Sequence, residues 1–172
     1  MKRLNISQRH TAKGEGMEPS GLSEGYGQFW ATFNQAYWVM IRVAEKELRA
    51  LDLTMSQAAV LFWVKTSETP LTPTDLSRLL FRRPHSVYDL LDRMEKQGLV
   101  TRTRDPKRKN VTRVVLTSEG QLAFGRQKRV RAIAGILAEL SPQETGMVLA
   151  ALGKLRKRAI EELTSGVLPP YG

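Results

Sequence analysis

The sequence contains no cysteine, which excludes a disulfide framework, a thiolate nucleophile, a Cys-ligated zinc and a thiol redox sensor, and is compatible with a reducing compartment. Histidine is scarce as well. A Ser-His-Asp arrangement would need His10 or His85 as its base, and neither has a supporting context. No apolar run approaches the ~18–20 residues that cross a bilayer, and residues 1–20 are polar, without the apolar centre of a signal peptide. The expectation is a soluble cytoplasmic protein with no membrane partner. Phosphate-cradling and dinucleotide motifs (G-x-x-x-x-G-K-[ST], G-x-G-x-x-G) are missing, and no His/Asp/Glu cluster has metal-ligand spacing. Gly21-Leu22-Ser23-Glu24-Gly25 matches the G-x-S-x-G nucleophile pattern, but no apolar strand precedes it. These absences predict no enzyme, no cofactor and no metal.

Negative charge is in short supply: 17 acidic residues face 27 basic ones, a net charge of +10 over 172 residues. Such a field draws polyanions, nucleic acid or an anionic surface. Its distribution is uneven. Eleven basic and four acidic residues fall between Arg78 and Arg113, so seven of the ten net charges sit in 36 residues. A solvated face can hold scattered lysines at no functional cost, but concentration of this kind favours a binding surface. With 41% apolar residues the chain can bury a core, and its length fits one domain with helical additions.

Along the chain, residues 1–24 lack any lasting apolar period and read as a flexible basic arm. Residues 25–53 carry Phe29, Trp30, Phe33, Tyr37, Ile41, Ala44 and Leu48 at three- and four-residue steps, one long amphipathic helix expected to serve dimerisation. Thr54-Met55-Ser56-Gln57 is a capping box that opens a second helix. Thr72-Pro73-Thr74-Asp75 supplies an N-cap, a first-turn proline and an acid for a short third. After the turn Phe81-Arg82-Arg83, Pro84 opens a fourth helix that Gly98 closes. Residues 99–103 and 111–116 are β-branched and partly alternating, a β-hairpin with a basic tip. A long helix is expected from Thr117 through Leu122, Val130, Ile133, Ile136 and Leu137, and Ser141-Pro142-Gln143-Glu144 caps a last one through Ile160.

The predicted fold is therefore mainly α with a small β-hairpin wing: a winged helix-turn-helix over residues 54–117, flanked by dimerisation helices in 25–53 and 118–172. In that arrangement the fourth helix enters the major groove of duplex DNA and the wing reaches the backbone or minor groove. Val87, Leu90, Leu91 and Met94 face inward, which leaves His85, Tyr88, Asp89, Asp92 and Lys96 outward with Ser86 and Arg93 on the flanks. His85, Ser86 and Tyr88 can meet bases or phosphates, and Arg82 or Arg83 a backbone phosphate or a guanine. The wing tip offers Arg104, Lys107, Arg108 and Lys109, cations suited to phosphate or a narrow minor groove. Each of these side chains alone is also an ordinary exposed polar residue, and Lys107 to Lys109 alone could be a localisation signal.

The stretches Leu90-Leu91-Asp92-Arg93-Met94-Glu95-Lys96-Gln97-Gly98-Leu99-Val100, Asp105-Pro106 and Val115-Leu116-Thr117-Ser118-Glu119-Gly120 resemble the MarR family of transcriptional regulators, the multiple-antibiotic-resistance-regulator type, over about residues 26–163. The resemblance implies a homodimeric binder of pseudo-palindromic duplex DNA, usually a repressor, and often one released by small aromatic acids or related metabolites. Two positions depart from the family pattern. Arg108-Lys109-Asn110 stands where Asp-Arg-Arg is frequent, so an acid–arginine brace is expected to be missing from the wing. Asp89 puts an acid on the groove side, where it repels phosphate but can accept from cytosine. The dimer has a second motive, because the broad apolar faces of the outer helices exceed what one winged helix can cover. A small aromatic or amphipathic anion is expected among Tyr37, Trp38, Trp63 and Arg42, residues that also serve as core or dimer contacts. An architectural DNA-binding protein with little sequence preference is the alternative that the same basic patch allows. A winged helix used for protein contacts would expose an apolar recognition face, which this sequence lacks.

Overall fold

The structure, a computed structural model, describes residues 24–108, 110–127 and 131–165. The chain divides into two compact units, Met1–Tyr37 and Trp38–Gly172. In the first, the described residues are the opening turns of helix α1 (Glu24–Arg49). Phe29 and Trp30 both stack on Phe33, at 6.0 and 6.2 Å. Tyr26, Phe29, Trp30, Phe33 and Tyr37 are exposed, Trp30 to 58%.

The second unit holds the rest of α1 and, in order, α2 (Met55–Thr66), α3 (Pro73–Leu79), α4 (Pro84–Lys96), β1 (Val100–Arg104), β2 (Thr112–Leu116), α5 (Ser118–Gln127), α6 (Arg131–Leu137) and α7 (Pro142–Thr164). Local chemistry sets the helix starts. Three reciprocal capping boxes form: Thr54 with Gln57 and Ser141 with Glu144 as expected, and Thr72, expected as an N-cap, with Asp75. In each, the hydroxyl accepts the third amide and the N3 side chain takes the N-cap amide, an arrangement worth about 1 kcal/mol. Donation from the Thr72 amide and hydroxyl holds the Asp75 carboxyl below its usual range. The chain reverses between α3 and α4 through Phe81, a non-glycine residue in the left-handed region at φ 50°, and the Ser77 hydroxyl donates to the Arg82 carbonyl at 2.7 Å to hold the turn. Gly98, at φ 69°, ends α4 as expected, because a side chain there would strain the backbone.

The core lies between α2, α3, α4 and the hairpin. Val60, Leu61, Leu76, Val87, Leu91, Met94, Val100 and Val114 are fully enclosed. The strands pair antiparallel, Val100 opposite Leu116 and Arg104 opposite Thr112, and the Val114 amide donates to the Leu71 carbonyl at 2.8 Å, which ties the hairpin to the α2–α3 connection. Where one long helix is expected from Thr117, two are described, α5 and α6, on either side of 128–130. Val130 lies outside the described residues. The Ala132 amide donates to the Glu47 carboxylate of α1 at 3.1 Å. No residue of α7 is buried, and Leu149 is 65% exposed. Among the described residues no helix is long and apolar enough to cross a membrane.

Candidate nucleic-acid interface

Helix α4 divides its residues by angle. Val87, Leu90, Leu91 and Met94 are buried, and at about 100° per residue this stripe turns His85, Tyr88, Asp89, Asp92 and Lys96 the opposite way. All five are exposed, as is Arg93, while Ser86 is half-buried on the flank. Arg83 is the N-cap residue, and the first turn has neither a side-chain cap nor an acid. The positive end of the helix dipole therefore meets no internal anion there.

Two arginines of the basic stretch brace the wing. Arg102 of β1 reaches back to α4: its Nε and Nη2 donate to Glu95 at 3.0 and 2.6 Å, its Nη2 also to Asp92 at 2.5 Å, and its backbone amide to Glu95 at 2.6 Å. These bonds, the Arg102 side chain first, hold the Glu95 carboxyl below its usual range against the opposing effect of burial. Asp105 at the base of the tip accepts Nε of Arg113 at 2.7 Å, and Arg113 also donates to the Pro70 carbonyl at 2.7 Å. The other Asp105 oxygen accepts the amides of Lys107 and Arg108 at 2.8 and 2.9 Å. With Arg113 as the largest cause, these partners keep the Asp105 carboxyl below its usual range.

The expectation that the wing lacks an acid–arginine brace is therefore corrected. A pair forms from Asp105 and Arg113 instead of at 108–110, because the register brings Arg113 opposite Thr103 and next to the strand end that carries Asp105. Neither pair was singled out from sequence, although a signal existed: Glu95 and Arg102 flank the Gly98 reversal, and Asp105 and Arg113 flank the tip. With Asp92, Glu95 and Asp105 engaged, Asp89 is the acid of 78–113 that makes no ion pair among the described residues. Arg82, Arg83, Arg104, Lys107 and Arg108 are exposed. Lys109 lies outside the described residues.

The expected ligand residues are placed separately. Tyr37 belongs to the first unit and Trp38, Arg42 and Trp63 to the second. Trp38 is 61% exposed and Arg42 is exposed. Trp63 packs edge-on to Phe62 at 5.3 Å and lines an apolar cavity of about 450 Å³ with Ala44, Leu48, Met55, Gln127 and Ile133; neither Trp38 nor Arg42 lines it. Gln127 donates to the Ala58 carbonyl at 3.1 Å, while its Oε1 is buried without a partner. Among the described residues no three His, Cys, Asp or Glu side chains converge as metal ligands.

Residues 51–109 match the MarR family profile. An uncharacterized HTH-type transcriptional regulator of Bacillus cereus is 31% identical over 85 residues, 49% of this chain. The chain spans 55% of the length of that curated relative. Among solved structures, the organohalide-sensing regulator RdhR-CbdbA1625 in its ligand-free form is 26% identical with a TM-score of 0.69, covering 92% of this chain and 96% of its own. The same protein is also known with 2,4-dichlorophenol bound. The Staphylococcus aureus MepR–DNA complex shares the fold at 21% identity and a TM-score of 0.67, covering 80% of this chain and 96% of its own. Within the winged helix-turn-helix, residues 51–109 are thus similar to the MarR family of regulators.

Proposed function

We propose that the chain is a sequence-specific transcriptional regulator of duplex DNA, a homodimeric repressor that binds a pseudo-palindromic operator. One observation carries the reading: the outward face of α4, with His85, Tyr88 and Asp89, stands beside a basic wing that Arg102 ties to the same helix. His85 and Ser86 read base edges with Tyr88 and Asp89. Arg82, Arg83, Arg93, Arg104, Lys107, Arg108 and Lys109 hold the backbone. Residues 54–117 form the DNA-binding part and residues 25–53 and 118–172 the dimerising part; the arm expected over 1–24 falls outside the described residues but for Glu24. This role places the protein in the cytoplasm with the DNA.

A small aromatic or anionic effector releases the complex, a reading supported by the dichlorophenol held by RdhR-CbdbA1625 and by the apolar cavity beside Trp63. Trp38 and Arg42 are further α1 residues proposed for the effector, outside that cavity. The effector acts by binding more tightly to a dimer shape whose helices no longer match the half-sites.

Footprinting on the chain's own upstream DNA tests the proposal. The expected result is two protected half-sites centred about one helical turn, ~34 Å, apart. Equal affinity for a scrambled duplex at one salt concentration would replace this reading with the architectural one.

A further inference from the structure

On the flank of α4 away from the wing, a cleft of about 700 Å³ opens between that helix and the junction of α1 and α2. At about 100° per residue, Arg93 and Glu95 point roughly 160° apart around α4. Glu95 meets the wing through Arg102, so Arg93 marks the opposite side. Four cations line the cleft: Arg93 and Lys96 from α4, Arg82 from the turn before it, and Arg49 from the end of α1. Asp52 is the single acid among the lining residues. None of the four cations forms an ion pair among the described residues. Behind them the wall is neutral and fixed, with Leu90 buried and the Gln57 amide donating to Gln97 at 2.5 Å. The first turn of α2, which faces the cleft with Ser56, holds no acid.

A helix lying in the major groove has a phosphate strand along each flank. The wing covers one side of α4, and this cationic cleft lines the other. We propose that the cleft seats backbone phosphates of the strand opposite the wing, and that Arg49 and Lys96 are phosphate-contacting residues. The inference rests on the DNA-binding reading and adds to it a second edge of the footprint, contributed by the helix junction that precedes the helix-turn-helix. The occupant is a phosphodiester because the cleft is open and continues from the outward face of α4 through Lys96. Asp52 lowers the attraction without cancelling it.

The test compares the full chain with its R49Q, K96Q and R49K variants, and with K65Q at the far end of α2 as a control, over a salt series on both the upstream duplex and a scrambled one. Each neutralised phosphate contact should reduce the slope of log affinity against log salt by about 0.9. R49Q and K96Q are expected to lose affinity for both duplexes alike, R49K to keep the slope, and K65Q to change nothing. D52N removes the acid while keeping a residue that tolerates the left-handed backbone at φ 56°, and should tighten both complexes. Unchanged slopes in R49Q and K96Q, with thermal unfolding midpoints equal to the unsubstituted chain, overturn the inference and leave the DNA-binding reading intact. Failure of the unsubstituted chain to bind any duplex overturns the reading itself. A further arm titrates the chain with inorganic pyrophosphate: saturable binding that R49Q abolishes while the DNA slope stays unchanged would assign the cleft to a free phosphate ligand instead.

Discussion

Arg102 shows how a single residue type can be read in two ways. As one of eleven basic side chains in 36 residues it looks like a DNA contact, yet it spends its guanidinium on Asp92 and Glu95. Asp105 does the same for Arg113 and for two wing amides. Its carboxyl is held below the ordinary 3.8, so the contribution of the charged form is complete above that value and is lost as pH falls through the lower folded value. Backbone amide shifts of Lys107 and Arg108 should thus stay constant from neutral pH down to about 4 and move below it. In Asp105→Asn the transition should vanish. Gly120 is a second residue with a defined limit: a Cβ there would lie 1.9 Å from the Leu99 carbonyl oxygen. Gly120→Ala should lower stability by about 1–3 kcal/mol, the range of an overpacked site, as measured by urea unfolding.

At the level of elements, what was legible in the sequence was whatever a few adjacent residues decide. Thr54 with Gln57, Thr72 with Asp75 and Ser141 with Glu144 start helices from within one turn, and the inward stripe of α4 follows from spacing alone. The wing braces escaped because they depend on how the hairpin returns to α4, and so did the bond from the Ala132 amide to Glu47, 85 positions earlier. The Arg49–Lys96 cleft escaped for the same reason: its walls come from distant parts of the chain. The division of labour between helix and wing gives a test. Neutralising Arg108 and Lys109 should weaken binding to every sequence and reduce the salt slope by about 1–2, whereas changing His85 or Ser86 should shift base preference by about 1–3 kcal/mol. Equal losses on all sequences from both kinds of variant would contradict that division, as scored by competition binding.

For the whole molecule, large apolar side chains stay exposed among the described residues of both units. Met147, Val148, Leu149, Leu152 and Leu155 of α7 are exposed, as are Phe29, Trp30 and Phe33 of α1. A second copy is the proposed cover, since a two-fold axis lets the same face serve both chains. Sedimentation at micromolar concentration should show a species of twice 19.4 kDa, and Leu149→Asp with Leu152→Asp should shift it to the monomer and weaken operator binding without altering α4. The three angular sectors of α4 also have a consequence for descent. Cohesion occupies the inward stripe and the wing flank, so the outward sector at His85, Tyr88 and Asp89 carries almost none of the folding energy. On the proposed DNA-binding role, duplicated genes diverge in operator choice by a few substitutions on that sector while inheriting the frame unchanged, and such a build founds a lineage of differently addressed relatives without passing through an unfolded ancestor.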